Sequence, residues 1–137
     1  MKKTLALLAI TILFGGCELI VLGTAKKQKQ TVEINQKTPL GTVYLFKSEL
    51  DSNDIPSATR LLAHPEGKPY LAIEKYDIYD DIARLRRVMG TKPITDVKSD
   101  SLTDKTFKIS LELNYIKTIS FMTERIKDNW YIVSYGE

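Results

Sequence analysis

The segment KTFKISLELNYIKTISFMTERIKDNWYIVSY, residues 105–135, decides the fold of this chain. Apolar side chains occupy every second position of its first part, namely Phe107, Ile109, Leu111 and Leu113. Successive side chains of a β-strand point to opposite faces of the sheet. The alternation therefore predicts a strand with one apolar face, on which Leu111 lies, and one polar face, on which Glu112 lies.

Two further strands follow in the same segment. Ile119–Phe121 alternates again, and Trp130–Tyr135 forms a third run after the turn Lys127–Asn129. Three consecutive short strands predict an antiparallel meander, of which one face is solvated and the other needs a covering layer of helices.

The residues upstream of the meander predict three helices. Thr38 and Pro39 are typical of a helix start, because a hydroxyl caps the first turn and proline needs no amide partner there. Asp54 is placed to cap a short second helix that ends near Leu62. The apolar residues of the first helix recur at helical spacing and are Leu40, Val43, Phe46 and Leu50.

The third helix is predicted from Asp77, its expected cap, to Gly90, its expected stop. Its buried stripe is Ile78, Ile82, Leu85 and Met89. A loop precedes it at residues 64–69, and a strand follows it from Ile94 to Ser99. Helices first and an antiparallel sheet of about four strands afterwards predict an α+β domain over residues 38–137.

Composition narrows the function classes. The 137 residues carry a formal charge of +3, and Lys2 and Lys3 account for most of this excess. A nearly neutral domain lacks the basic surface that nucleic-acid binding requires. One cysteine and one histidine allow no internal disulfide and no cysteine-rich metal site, so neither a metal nor a cofactor is predicted.

The first sixteen residues are typical of an export signal, with basic Lys2 and Lys3 before the apolar run 5–14. Gly15 and Gly16 then precede Cys17, and this arrangement resembles the lipobox of bacterial lipoproteins. The resemblance implies cleavage before Cys17, acylation of its thiol, and anchoring to a membrane of the cell envelope. Residues 17–37, rich in Lys, Gln and Thr, are then a tether.

An uncleaved membrane anchor is the alternative for this region. The apolar run continues beyond Cys17, so that Thr4–Gly23 is almost long enough to span a bilayer. Glu18 argues against this alternative, because a carboxylate within so short a span is costly. In either case the domain is tethered to a membrane or exported.

The order helix, short helix, helix, strand and meander resembles the cone-shaped, cystatin-like fold of nuclear transport factor 2 and its relatives, among them uncharacterised bacterial lipoprotein domains. The resemblance spans Pro39 to Gly136, and the residues that carry it are Phe46 and Leu50 of the first helix, the Asp54–Leu62 helix and the terminal Asp128–Ile132. It implies a strongly curved sheet wrapped on three N-terminal helices, a cavity between the two layers, and dimerisation through the outer sheet face.

Some members of that superfamily are isomerases, dehydratases or epoxide hydrolases, whose chemistry needs carboxylates or histidines in the cavity. Here the inward register of the first meander strand is apolar, Glu112 has the opposite parity, and His64 falls in a loop. No catalytic residue is therefore predicted, and a cavity enzyme of the isomerase or dehydratase type is the alternative function.

Aromatic residues are the candidates for lining a pocket, or alternatively for completing the rim of the core. The candidate lining residues are Tyr44, Tyr79, Tyr115 and Trp130. Arg125 shares parity with Phe121 and would mark an anion-binding end of the cavity, unless a bulge near Met122 turns it outward.

The function predicted from these features is binding rather than catalysis. The domain of a non-enzymatic envelope lipoprotein would bind a partner protein or a small apolar ligand, with the lipidated Cys17 in the membrane. A homodimer through the outer sheet face and a signal-anchored accessory role in a membrane complex are further possibilities.

Overall fold

The computed structural model describes residues 31–137. Its elements in chain order are α1 (Pro39–Asp51), α2 (Ile55–Arg60), β1 (Ala63–His64), β2 (Lys68–Pro69), α3 (Ala72–Asp77), α4 (Tyr79–Met89), β3 (Ile94–Thr103), β4 (Thr106–Leu113), β5 (Lys117–Ile126) and β6 (Asn129–Gly136). Strands β3 to β6 pair in sequence order as one antiparallel sheet. The predicted α+β class is confirmed.

The face assignment of the meander is confirmed residue by residue. Ile109, Leu111 and Leu113 are fully buried, whereas the intervening side chains lie on the other face. Strand β4 pairs with β5 without a register shift, and Ile109 lies opposite Phe121. Because one face is buried, a slip of one residue would expose every core side chain of the strand, which fixes the register.

One irregularity lies in β6. Met122 is opposite Ser134, but the next residue, Thr123, is opposite Ile132, so Val133 is an extra residue in the ladder. Such a bulge changes which face the following side chains occupy. Trp130 and Ile132 therefore face the core before it, and Tyr135 takes that face after it, opposite Phe121.

Helix α1 supplies the main covering layer. The Thr38 hydroxyl accepts a hydrogen bond from the Gly41 amide at 3.0 Å, and Pro39 occupies the first turn, as predicted. Phe46 and Leu50 are fully buried. The Phe46 ring meets that of Phe121 edge to face, with centroids 5.9 Å apart. This contact joins the centre of the helix to the centre of the sheet.

Helix α2 is short and is fixed at both ends. The Asp54 carboxylate accepts hydrogen bonds from the Ser57 amide and hydroxyl at 2.9 and 2.8 Å, so the predicted cap is confirmed. Beyond the helix, Leu61 and Leu62 are buried, and the Leu61 carbonyl accepts a hydrogen bond from the Ile132 amide. The chain therefore attaches the α2 end to the edge strand β6.

Two predictions about the segment between α2 and α4 are wrong. The predicted loop at 64–69 overlaps the two-residue strand β1 at His64 and includes the two-residue strand β2, and Gly67, with a φ of +74°, lies in the turn between them. The described residues contain four helices rather than three, because α3 precedes α4. Asp77 closes α3, and Ile78 takes the capping position of α4 that Asp77 was expected to hold.

Helix α4 and strand β3 otherwise follow the predicted pattern. Ile82 and Met89 are buried, and Gly90 is the residue at which the helix ends. Strand β3 begins at Ile94 but continues to Thr103 rather than Ser99. From position 98 onward its side chains are exposed on both faces, so pairing with β4, not burial, holds this part.

Residues 31–37 belong to the same compact unit as the helices and the sheet, although the sequence analysis placed them at the end of the tether. The Gln36 carbonyl accepts from the Trp130 amide at 2.8 Å, and the Gln36 side-chain amide donates to the Trp130 carbonyl at 3.0 Å. Residues 33–36 also pass close to Gly41, where a Cβ would collide with the Glu33 carbonyl and lie 2.7 Å from the Asn35 carbonyl.

Gly41→Ala is therefore expected to destabilise the protein. Overpacking against main-chain atoms costs about 1–3 kcal/mol, because neither carbonyl can move without displacing the segment from α1. Gly136→Ala is the matched control, since a Cβ there meets no atom within 4 Å. Urea unfolding of both variants measures the difference. Equal midpoints would mean that residues 33–36 are not held against the helix.

Candidate binding groove

The space between helices and sheet is occupied by apolar side chains, whose largest fully buried members include Phe46, Phe121, Leu50, Ile82 and Met89. Each buried threonine hydroxyl donates a hydrogen bond to a main-chain carbonyl. Thr42 donates to the Thr38 carbonyl, Thr59 to the Pro56 carbonyl, and Thr123 to the Phe107 carbonyl. Among the described residues no buried side-chain polar atom lacks a partner. The interior thus presents no free polar group to a ligand.

A groove lies outside this core, between α1, the segment before it, and the start of β3. Its volume is about 300 Å³, and it is lined by Ile34, Tyr44, Lys47, Ser48, Asp51, Lys92, Pro93 and Ile94. Apolar side chains from three separate parts of the chain meet there, with charged groups at one end. This combination suits a ligand or peptide that is apolar along most of its length.

The charged end is built on an ion pair of α1. The Lys47 ammonium contacts both Asp51 carboxylate oxygens at 2.6 and 2.7 Å, one turn apart on the helix. The same carboxylate accepts a hydrogen bond from the Thr91 amide at 2.7 Å. Lys47 is only 5% exposed. The pair therefore fixes the C-terminal end of α1 to the loop that leads into β3.

Tyr44 is the one predicted lining residue that lines this groove. Its side chain is half-buried, and burial raises the pKa of the phenol above its ordinary value. The phenol hydroxyl, which is protonated at neutral pH, can donate a hydrogen bond to a ligand in the groove.

The structure does not bring the other four candidates together with Tyr44. Tyr79 begins α4, where its ring packs on Tyr76 at 5.1 Å. Tyr115 lies in the β4–β5 turn and is 82% exposed. Trp130 is a buried core residue whose ring meets Phe107 edge to face at 5.4 Å. The geometry of Trp130 therefore fits the alternative prediction, that these aromatic residues complete the rim of the core.

Arg125 is exposed near the end of β5, opposite Trp130. The bulge considered at Met122 is not in β5, because the extra residue belongs to β6 and β5 pairs regularly with β4. Arg125 therefore keeps the inward parity of Phe121 and Thr123, but its side chain is exposed. No anion-binding end of the cavity is formed by it.

His64 belongs to a small polar cluster at the molecular surface. Its Nε2 lies 3.1 Å from Glu74 Oε2, and its ring packs on Tyr70 with centroids 4.0 Å apart. The same Glu74 oxygen accepts from the Leu71 amide at 2.6 Å. The pKa of Glu74 is lowered below its ordinary value, mainly by that backbone hydrogen bond and to a smaller extent by the contact with His64. The ionised carboxylate thus closes the start of α3 and joins it to β1.

Polar side chains of β3, β4 and β5 occupy part of the outer sheet face. Its rows contain Asp96, Lys98, Ser110, Glu112 and Thr118, which surround a recess of about 40 Å³. Ser110 and Ser120 are hydrogen-bonded across the strands at 3.0 Å, and Glu112 accepts from the Thr95 hydroxyl at 2.8 Å. An apolar patch, which would have favoured dimerisation through this face, does not occupy these central positions.

Two exposed apolar surfaces were missed by the sequence reasoning. One is on the short helix α3 and its cap, where Leu71, Ile73 and Tyr76 are exposed, and the other is the pair Tyr115 and Ile116 in the β4–β5 turn. For Tyr115 and Ile116 the sequence offered one indication. Both residues directly follow Asn114, at a place where the strand alternation breaks and a turn is required.

Neither the protein-family models nor the curated proteins give a match for this chain. Within residues 31–137, no three His, Cys, Asp or Glu side chains are placed to hold a metal ion. The same residues contain no helix that is both long and apolar enough to cross a bilayer. Cys17 and the predicted signal segment lie outside the described residues.

Proposed function

We propose that the chain is a non-enzymatic lipoprotein of the bacterial cell envelope, held on a membrane by an acylated Cys17. Its domain, of the cone-shaped class with a strongly curved sheet, binds a partner protein or a small apolar ligand. The tether half of the proposal is supported by the order of Lys2, Lys3, the apolar run and Gly15-Gly16 before the sole cysteine.

The binding half is supported by the groove between α1 and β3. Ile34, Tyr44 and Ile94 give it apolar walls, and the Lys47–Asp51 pair and Lys92 give it one polar end. The interior, by contrast, is apolar and its hydroxyls are hydrogen-bonded to the main chain. Recognition at the surface is therefore the role that the described residues favour.

Cys17→Ser is expected to abolish fatty-acid incorporation, because a hydroxyl does not replace the acylated thiol. Metabolic labelling with palmitate, followed by separation of membranes from soluble material, measures the effect. Gly23→Ser, a serine placed in the same segment, is the matched control and should keep the label. Equal incorporation of palmitate into the wild type and Cys17→Ser would contradict the proposed acylation of Cys17.

The same membrane preparations test the groove. Ser48 is an exposed lining residue, so Ser48→Trp should fill the groove and lower the fluorescence of a bound apolar dye such as anilinonaphthalene sulfonate. Lys98→Trp, on the outer sheet face, adds the same side chain elsewhere and controls for general effects. Equal dye fluorescence in the two variants would show that the groove is not the apolar binding site.

A further inference from the structure

The turn between β4 and β5 places two large apolar side chains in water. Tyr115 is 82% exposed and Ile116 is 84% exposed, and they are consecutive in the chain. A single exposed apolar residue needs no explanation, but adjacent ones at the tip of a hairpin form a small protruding apolar surface. Neither side chain contributes to the core, so packing does not explain their presence.

The backbone of this turn is unusual for its sequence. Asn114 and Tyr115 have φ values of +53° and +60°, and the Ile116 amide donates to the Leu113 carbonyl at 3.1 Å. A β-turn with both central residues in the left-handed region strongly favours Asn followed by Gly. Tyrosine at the second position costs stability there, and strain of this kind is concentrated at functional sites.

The turn is also firmly positioned. The Asn114 amide donates to the Pro93 carbonyl at 3.0 Å, and the Tyr115 amide donates to the Thr95 hydroxyl at 3.1 Å. Both acceptors lie at the start of β3. The two exposed side chains are therefore presented from a rigid support and not from a loop that could fold back over them.

Basic and exposed apolar residues lie beside the tip. Lys92 precedes the exposed Pro93, and Lys117, which is paired with Glu137, directly follows Ile116. Ile34, itself exposed and close to the first described residue, lines the groove together with Pro93. Ile34 thus lies near the residue that supports the hairpin, and sixteen residues, 18–33, separate it from Cys17 in the sequence.

We propose that the tip formed by Tyr115 and Ile116 inserts into the interfacial region of the lipid bilayer. Tyrosine is favoured at the headgroup level because its ring is apolar and its hydroxyl is polar, and a nearby lysine, Lys92, suits lipid phosphates. Ile116 would reach the start of the acyl chains. This inference rests on the proposed membrane tether, and it adds that the domain is oriented on the membrane with the groove near the lipid surface.

A protein partner fits this tip less well than lipid does. A specific protein interface buries at least about 1,000 Å², which two side chains cannot supply. The neighbouring outer face, at Glu112 and Thr118, is polar and would not extend the apolar contact. A bilayer, in contrast, needs only a protruding apolar tip, because the tether already holds the domain close to it.

Fluorescence quenching by lipid tests the insertion. The full-length chain is reconstituted into vesicles of phosphatidylcholine and phosphatidylglycerol with or without a doxyl-labelled lipid. An environment-sensitive fluorophore is attached at Thr118→Cys, two residues from Ile116, or at Asp104→Cys in the β3–β4 turn at the opposite end of the sheet. The chain without an introduced cysteine is the labelling blank. We expect the label at 118 to lose most of its fluorescence and the label at 104 to keep it.

The double variant Tyr115→Gly/Ile116→Ser removes the tip while keeping a turn sequence that suits the observed backbone, and it should abolish the quenching at 118. Leu71→Ser/Ile73→Ser removes the other exposed apolar surface and should leave that quenching unchanged. Equal quenching at 118 and 104, in chains that float with the vesicles, would overturn the insertion but leave the tether intact. A wild-type chain that does not float would overturn the tether and the insertion together.

Discussion

Phe121→Ala is expected to lower the free energy of unfolding by about 3–5 kcal/mol, the range for truncating a fully buried phenylalanine. Phe121 lies at the centre of β5 with no exposed surface, and its ring packs edge to face on Phe46 of α1. Alanine would leave a cavity between helix and sheet that surrounding side chains cannot fill, because the strand registers on both sides are fixed.

Urea titration of the wild type and the variant measures this loss. Phe107→Ala is the matched control, because Phe107 is on the same sheet face but only partly buried, and a smaller loss is expected. In a double-mutant cycle, Phe46→Ala and Phe121→Ala should be coupled by about 0.5–1.5 kcal/mol, as edge-to-face aromatic pairs are. Losses of equal size at 107 and 121 would mean that the core is not centred on the contact between α1 and β5.

The part of the fold that was predictable from sequence is the part that a local pattern encodes. Leu111 and Ile109 were assigned to the core by alternation alone, because the period of a strand is two. Phe46 and Leu50 followed from helical spacing, and Asp54 from its capping chemistry. All of these residues lie where the sequence predicts.

The elements that were missed carry no such pattern. Helix α3 buries none of its six residues, so it has no apolar stripe, and the hydrogen bond from the Leu71 amide to Glu74 closes its start. The second half of β3 is exposed on both faces and follows β4 only through backbone pairing. The bulge at Val133 likewise depends on the partner strand, which periodicity does not show.

The candidate site was less predictable than the fold for a related reason. Tyr44, Tyr115 and Trp130 are all aromatic residues near apolar runs, yet one lines a groove, one protrudes from a turn and one is in the core. Their exposure depends on where each element ends relative to its neighbours. The burial of Lys47 is a property of the same kind, although its spacing from Asp51 is visible in the sequence.

The Lys47–Asp51 pair should be the most sensitive polar contact of the groove. Asp51→Ala would leave the Lys47 ammonium, whose side chain is 6% exposed, without its partner and would also remove the acceptor for the Thr91 amide. Breaking a fully buried pair costs about 3–5 kcal/mol. Because the Asp51 side chain is 40% exposed, water compensates in part, and we expect a loss of about 1–3 kcal/mol in this case.

Lys47→Met, alone and combined with Asp51→Ala, separates the cost of leaving the Lys47 ammonium unpaired from the loss of its attraction to the Asp51 carboxylate. Lys47→Met keeps most of the buried stem and removes the charge, so Lys47→Met/Asp51→Ala should be more stable than Asp51→Ala alone. Asp81→Ala is the matched control, since its contact with Arg84 at 3.5 Å is exposed on both sides and should change stability by less than about 0.5 kcal/mol. Urea midpoints for the four variants decide the matter. If Asp51→Ala matched Asp81→Ala, the groove's charged end would be solvated, and the pair would not be what fixes α1 to the loop before β3.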